Sequence, residues 1–170
     1  GYTATPPSTM QTVRYLVFDL ETVADGDLVD KLRYPGENLG PAAAVARYRA
    51  ELLAKYDSDF IPYTFQVPVS LAVAKVAADC RLFDLAVLDE AQFRPHVITE
   101  NFWRGWEKYR RPTLVSFNGR TFDIPFLEAR LSLNRAPPLP AAFHLDLLML
   151  ARRLYRRRLG PARAAKDLWR

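Results

Sequence analysis

Cysteine is nearly absent from this chain. The single thiol, Cys80, has no partner for an intramolecular disulfide and cannot build a cysteine-based zinc site. A reducing cytoplasm is the compartment this implies. Long apolar runs are missing too. None approaches the roughly 20 residues a membrane-spanning helix needs, and the start of the chain lacks the apolar core of a signal peptide. Residues 1–12 are rich in Pro, Thr and Ser and are expected to form a flexible lead-in to one domain, 13–170. No internal repeat or low-complexity block suggests a second domain. What is present is an ordinary globular balance, 49% hydrophobic and 25% charged. At this length a chain buries roughly 70% of its unfolded surface, so it holds a core without disulfide or metal staples.

The net charge is +5 and the pI about 9.5, compatible with a nucleic-acid partner without requiring one. The excess is concentrated at the C-terminal end. From Arg152 onward the bases are Arg152, Arg153, Arg156, Arg157, Arg158, Arg163, Lys166 and Arg170, against the lone acid Asp167. The rest of the chain is close to neutral or slightly acidic. Arg152, Arg153, Arg156 and Arg157 share one face of an expected helix, with Leu147, Leu150, Ala151 and Leu154 opposite. Such a basic face is either simply solvated or holds phosphates, and in the second case binding weakens with salt.

Periodicity predicts a strand over 13–20, apolar on both faces around Tyr15-Leu16-Val17-Phe18. A polar insertion, 37–63, contains a helix at 41–56. Strand-like runs at 69–76 and 82–88 flank Ala78-Asp79-Cys80 and suggest an antiparallel hairpin. Ile98, Phe102, Trp106 and Tyr109 recur at helical spacing. A buried strand at 113–117 is followed by a turn, Asn118-Gly119-Arg120-Thr121. A helix opens at Asp123 and runs to about 134, with Pro125 tolerated in its first turn. Pro137, Pro138 and Pro140 form a stiff linker. A short strand at 143–145 and a helix at 147–159 follow, and a last helix starts near Arg163. The result is an α/β fold: an antiparallel three-strand meander, then parallel strands, in a mixed sheet flanked by helices.

Two segments carry chemistry. In Phe18-Asp19-Leu20-Glu21-Thr22 the side chains alternate, so Asp19 and Glu21 share a face roughly 6–7 Å apart. Like charges there repel unless a cation lies between them, and Mg²⁺ favours such oxygen donors. The alternative is a solvated strand end. In Asn118-Gly119-Arg120-Thr121-Phe122-Asp123 a buried strand leads through a turn to an acid at a helix start, where an Asp can also serve only as N-cap. If the two strands are parallel neighbours, three carboxylates converge at the strands' carboxyl ends, where α/β sheets bind ligands.

In this order and on these elements the segments resemble the DEDD superfamily of proofreading-type 3'–5' exonucleases. Asp19-Leu20-Glu21 matches its first motif and Asn118 to Asp123 its second. His144-Leu145-Asp146-Leu147-Leu148 is similar to the strand and helix that follow. Phe18 to Val23, Pro68-Val69-Ser70-Leu71-Ala72 and Ser116 to Arg120 resemble the predicted polymerase-B-like exonuclease branch, over about 13–168. The resemblance implies a ribonuclease-H-like fold and 3'–5' hydrolysis of DNA or RNA phosphodiesters, a chemistry used in DNA repair. Asp19, Glu21 and Asp123 would be the catalytic acids, holding two Mg²⁺ or Mn²⁺ ions. The partner would be a nucleic acid with a single-stranded or frayed 3' end. Leu20 and Thr22 would touch the terminal nucleotide, and Asn118 and Phe122 would assist.

The family also requires a fourth acid, four residues after a Tyr or five after a His that acts as general base. Nothing after Asp146 fits, and Asp167 has neither residue at that spacing. The expectation is that these 170 residues stop short of the fourth ligand, with weak metal binding and little activity as they stand. Asp146 is either an N-cap or an acid that contacts a metal directly or through water. His144 is expected as a core histidine, and Trp103, Trp106, Phe117, Phe122 and Phe126 mainly as core. An endonuclease of the same chemistry, or a nucleic-acid-binding scaffold that lost catalysis, are the rival readings.

Overall fold

The computed structural model describes residues 12–133 and 144–159. Most of the expected lead-in, the prolines 137, 138 and 140, and the last helix from Arg163 with Asp167 lie outside the described residues. Strand β1, Tyr15–Ala24, is the centre of a five-stranded sheet. The insertion that follows holds helices α1, Gly26–Arg33, and α2, Pro41–Tyr56. Then come β2, Gln66–Val76; β3, Leu82–Val87; α3, Pro95–Lys108; β4, Thr113–Ser116; α4, Asp123–Leu133; β5, His144–Asp146; and α5, Leu147–Leu159.

The strand order is β3-β2-β1-β4-β5. Strands β1, β2 and β3 pair antiparallel, and β4 pairs parallel to both β1 and β5. This is the expected ribonuclease-H-like mixed sheet. Leu16, Phe18 and Leu20 turn one face of β1 inward, with Leu71, Val73 and Leu114 beside them. Ile98, Phe102, Trp103 and Trp106 of α3 and Phe126 and Leu127 of α4 cover that face. Both buried indoles find acceptors, as tryptophan in a core must: Trp103 Nε1 donates to the Leu127 carbonyl at 3.1 Å and Trp106 Nε1 to that of Pro112 at 2.9 Å. These bonds fasten α3 to α4 and to the entry of β4.

Several boundaries differ from the sequence expectation. The first strand does not stop at 20. It pairs with β2 as far as Ala24 opposite Gln66, with a register shift between Glu21 and Thr22 opposite Pro68. A proline cannot donate to the ladder, so an irregularity there is the natural outcome. Asp19 and Glu21 therefore lie inside β1, not at its end. Helix α3 begins three residues earlier than expected, at Pro95, whose missing N–H is harmless in a first turn. Helix α1 is not among the expected elements. Asp25 caps it, accepting from Leu28 N at 3.0 Å. Phe117 is 58% exposed rather than core, because β4 ends at Ser116 and the chain reverses at Asn118. On α5, Leu147, Leu150 and Leu154 are exposed rather than packed, and Leu148 is the buried residue.

The insertion has its own small core of Val29, Tyr34, Ala44, Tyr48 and Ile61. Arg33 and Arg47 bridge its surface to Glu37 and Glu51. Among the described residues no helix is long and apolar enough to cross a membrane.

The sheet depends on α3. Phe102→Ala is expected to cost about 3–5 kcal/mol of stability by leaving a cavity against Phe18, read as a fall in the urea midpoint with an unchanged m value. Leu85→Ala, at a 63% exposed position on edge strand β3, is expected to cost under about 0.5 kcal/mol.

Candidate active site

Strand β4 pairs with β1 only from Tyr15 to Val17. Beyond Val17 the β4-side edge of β1 has no strand partner among the described residues, and a cleft of about 740 Å³ opens there. Leu20 is buried on the core side of the strand, whereas Asp19 and Glu21 are exposed. The period-2 alternation thus sends both carboxylates outward on one face, as expected. Asp19, Leu20, Glu21, Thr22, Asn118, Phe122 and Asp123 all line this cleft.

Asp123 reaches it from the start of α4. It is 8% exposed, and among the described residues its carboxylate accepts no hydrogen bond and joins no ion pair. The N-cap alternative therefore does not hold: this acid caps nothing. Burial, reinforced by the negative charges of Asp19, Asp146 and Glu21, pushes its carboxyl up to about 6. Among the described residues no three acid, histidine or cysteine side chains already stand close enough together to hold an ion. Asp19, Glu21 and Asp123 share the cleft lining.

Asp146 does cap α5, and it does more. It is 3% exposed and outside the cleft lining. Its carboxylate accepts from Leu148 N at 3.0 Å and Met149 N at 3.3 Å. Its two oxygens also accept from Asn118 N and Arg120 N, both at 3.0 Å, in the turn before Asp123. Burial alone would raise this carboxyl, but the N–H groups of Arg120, Met149, Asn118 and Leu148 outweigh it and hold the group below its usual range. The turn is latched a second time at Ser116, whose Oγ accepts from Gly119 N at 3.1 Å and lies 2.9 Å from His144 Nε2. His144 is thus the half-buried structural histidine expected; burial pushes its imidazole down, against the pull of Asp146. A Cβ on Gly119 would lie 2.0 Å from Ser116 Oγ and 2.9 Å from Asp123 Oδ2, so only glycine lets the turn sit this close. Asn118 adopts φ +62°, a left-handed turn conformation that asparagine tolerates.

Sequence reasoning missed the far side of the cleft. Arg49 of α2, with Asp59, Phe60 and Ile61 after it, faces the carboxylates from the insertion, and Gln66 and Phe117 complete the lining. Gln66 anchors that side: its Nε2 donates to the Ile61 carbonyl at 2.6 Å, and Thr22 Oγ1 bonds its Oε1. No local pattern announces these residues, since their role comes from how the insertion folds back on β1.

A family model described as a predicted 3'-5' exonuclease related to the exonuclease domain of PolB matches residues 58–144. No curated protein matches the chain. Among solved structures, a similar chain is the family B DNA polymerase from the hyperthermophilic archaeon Pyrobaculum calidifontis, at 16% identity and a TM-score of 0.45. The match covers 80% of this chain and 15% of the polymerase.

The two buried acids carry opposite pH signatures. A raised carboxyl such as Asp123 costs stability as pH climbs from its unfolded value toward 6, and a depressed one such as Asp146 contributes stability that is lost as pH falls. In EDTA at pH 7.5, Asp123→Asn is therefore expected to stabilise the protein by about 1–3 kcal/mol, with the gain gone by about pH 4. Asp146→Asn is expected to destabilise at pH 7.5 by roughly 2–4 kcal/mol through the lost N–H acceptors. Denaturant midpoints at the two pH values check both; equal midpoints for wild type and Asp123→Asn would contradict the electrostatic account.

Proposed function

Because this chain belongs to the family of predicted 3'-5' exonucleases related to the exonuclease domain of PolB, we propose that it removes nucleotides from the 3' end of a nucleic acid, with Asp19, Glu21 and Asp123 as its catalytic acids. The observation that carries the reading is Asp123: a buried carboxylate with no hydrogen-bond donor among the described residues, opening onto two further carboxylates in one cleft. Strongly perturbed acids in a cleft are where function concentrates.

The donor set suits hard divalent cations, since it consists of carboxylate oxygens that crowd negative charge into one cleft. Asp19, Glu21 and Asp123 would hold two Mg²⁺ or Mn²⁺ ions, which when bound supply an activated water and charge stabilisation for an in-line phosphodiester displacement. The protein's own part is placement. The β1 backbone sets Asp19 and Glu21 on one face. The turn latched by Asp146 and Ser116 presents Asp123 opposite them. Leu20 and Thr22 flank the acids and would contact the terminal nucleotide, with Thr22 oriented by Gln66. Phe122 offers an aromatic surface beside Asp123, and Asn118 shapes the turn. Water attacks phosphorus, the bond to the 3' oxygen breaks, that oxygen takes a proton, and a nucleoside 5'-monophosphate leaves a strand one residue shorter.

The test is cleavage of 5'-labelled single-stranded and 3'-recessed substrates by the full-length protein in Mn²⁺, Mg²⁺ or EDTA. Stepwise 3' shortening that requires the metal is expected. Asp19→Ala and Asp123→Ala are each expected to lower it by at least about a hundredfold, the scale on which one transition-state stabiliser acts. Internal cuts lost in the same variants would favour an endonuclease. Binding without cleavage, indifferent to Asp19→Ala, would leave a scaffold.

A further inference from the structure

Among the described residues, the insertion between β1 and β2 gives the cleft its one Lys or Arg side chain and its most exposed aromatic ring. Asp19, Glu21, Asp59 and Asp123 make the lining acidic, and Arg49 alone among the described lining residues opposes them. The other arginines of this region are occupied. Arg47 is paired with Glu37 and Glu51, and Arg33 with Glu51, and each lies over a tyrosine ring. Arg49 is exposed and has no ion pair or hydrogen bond among the described residues.

Phe60 is 60% exposed, an unusual placement for a large apolar ring in so polar a cleft. It is nevertheless held. Its neighbour Ile61 is buried in the insertion's core, and that backbone is fixed by Gln66. Its ring meets that of Phe122 in an edge contact at 5.6 Å and 76°. Phe122 in turn stacks on the buried Phe126 at 6.0 Å. Phe60 is thus a braced aromatic surface one ring farther from the core than Phe122.

We propose that Arg49 and Phe60 form a subsite for the single strand that leads to the 3' end, the guanidinium on a backbone phosphate and the ring against the face of an unpaired base. The inference rests on the nuclease reading above and adds to it two residues, outside the acids, that would hold the strand. A guanidinium and an aromatic face are the pair by which proteins hold single strands irrespective of sequence. A base can lie flat on Phe60 only when it is unstacked from its neighbour, so the subsite favours single-stranded or frayed ends over intact duplex. The acids then hold the reacting phosphate while the insertion grips the strand behind it.

Arg49→Gln, Phe60→Ala and the control Arg14→Gln, an exposed arginine at the opposite end of β1, are compared in the full-length protein in Mn²⁺. The substrates are single-stranded DNA, single-stranded RNA and the p-nitrophenyl ester of thymidine 5'-monophosphate, which has a terminal nucleotide but no strand behind it. For each of Arg49→Gln and Phe60→Ala, kcat/KM on the preferred strand is expected to fall about tenfold more than on the ester, the order of one lost base stack or phosphate contact. With Ca²⁺ in place of Mn²⁺, the salt dependence of strand binding in Arg49→Gln is expected to flatten by about 0.7 in log–log slope. Arg14→Gln is expected to change neither. Equal losses on strand and ester, or none, overturn the subsite while leaving the nuclease intact. Wild-type protein inert on all three removes the nuclease reading and the subsite with it.

Discussion

One buried carboxylate ties together the end of the sheet where the cleft opens. Asp146 receives backbone N–H groups from the turn after β4 and from the first turn of α5. Each of those groups would otherwise be an orphan at a strand or helix end. Meeting them with one ionised side chain locks β4, β5, α5 and the Asn118–Arg120 turn into a single arrangement. Asp123 is three residues beyond that turn, so its position inherits the lock. The same charge helps keep the Asp123 carboxyl raised. Asp146 thus acts on the site without lining it: it sets geometry through hydrogen bonds and potential through charge.

The second constraint is a mismatch of strand lengths. Strand β2 follows β1 over ten residues, but β4 accompanies it for three. Without the overhang, Asp19 and Glu21 would stand beside another strand and no cleft would form. With it, the acids sit on a rigid, paired strand while one edge stays open to a ligand. Rigid elements hold reactive groups better than loops do, and here both acids of the first motif lie mid-strand. The insertion then closes the remaining side. Its private core and ion pairs make it a stable wall, and Gln66 couples that wall to Thr22 within the site.

How much of this was legible in the sequence follows from how far each signal reaches along the chain. Local signals were sound. The apolar run of β1, the hairpin of β2 and β3, the 3.6-residue stripe of α3 and the alternation that pairs Asp19 with Glu21 all depend on neighbours within a few positions, and all appear in the structure. So does the capping role of Asp146, because an acid directly before an apolar helix satisfies that helix's own N–H groups. The order of these elements was enough for the mixed sheet. What failed was what pairing decides. The reach of β1 past residue 20 comes from β2, whose partners lie more than 40 residues away. The exposure of Phe117 comes from the reversal at Asn118, and the exposure of Leu147, Leu150 and Leu154 on α5 is likewise visible only in the fold.

The site divides in the same way. The sequence by itself determined which acids exist, the strand face that Asp19 and Glu21 share, and the helix start at Asp123. Only the tertiary structure decided that Asp123 is a buried carboxylate with no donor among the described residues rather than a cap, that Asp146 grips the turn from behind, and that Arg49 and Phe60 face the acids from an insertion with no motif of its own. The physical reason is range. Hydrogen-bond periodicity and side-chain alternation are local and printed residue by residue, whereas burial, desolvation and the meeting of charges depend on which distant segments the folded chain brings together.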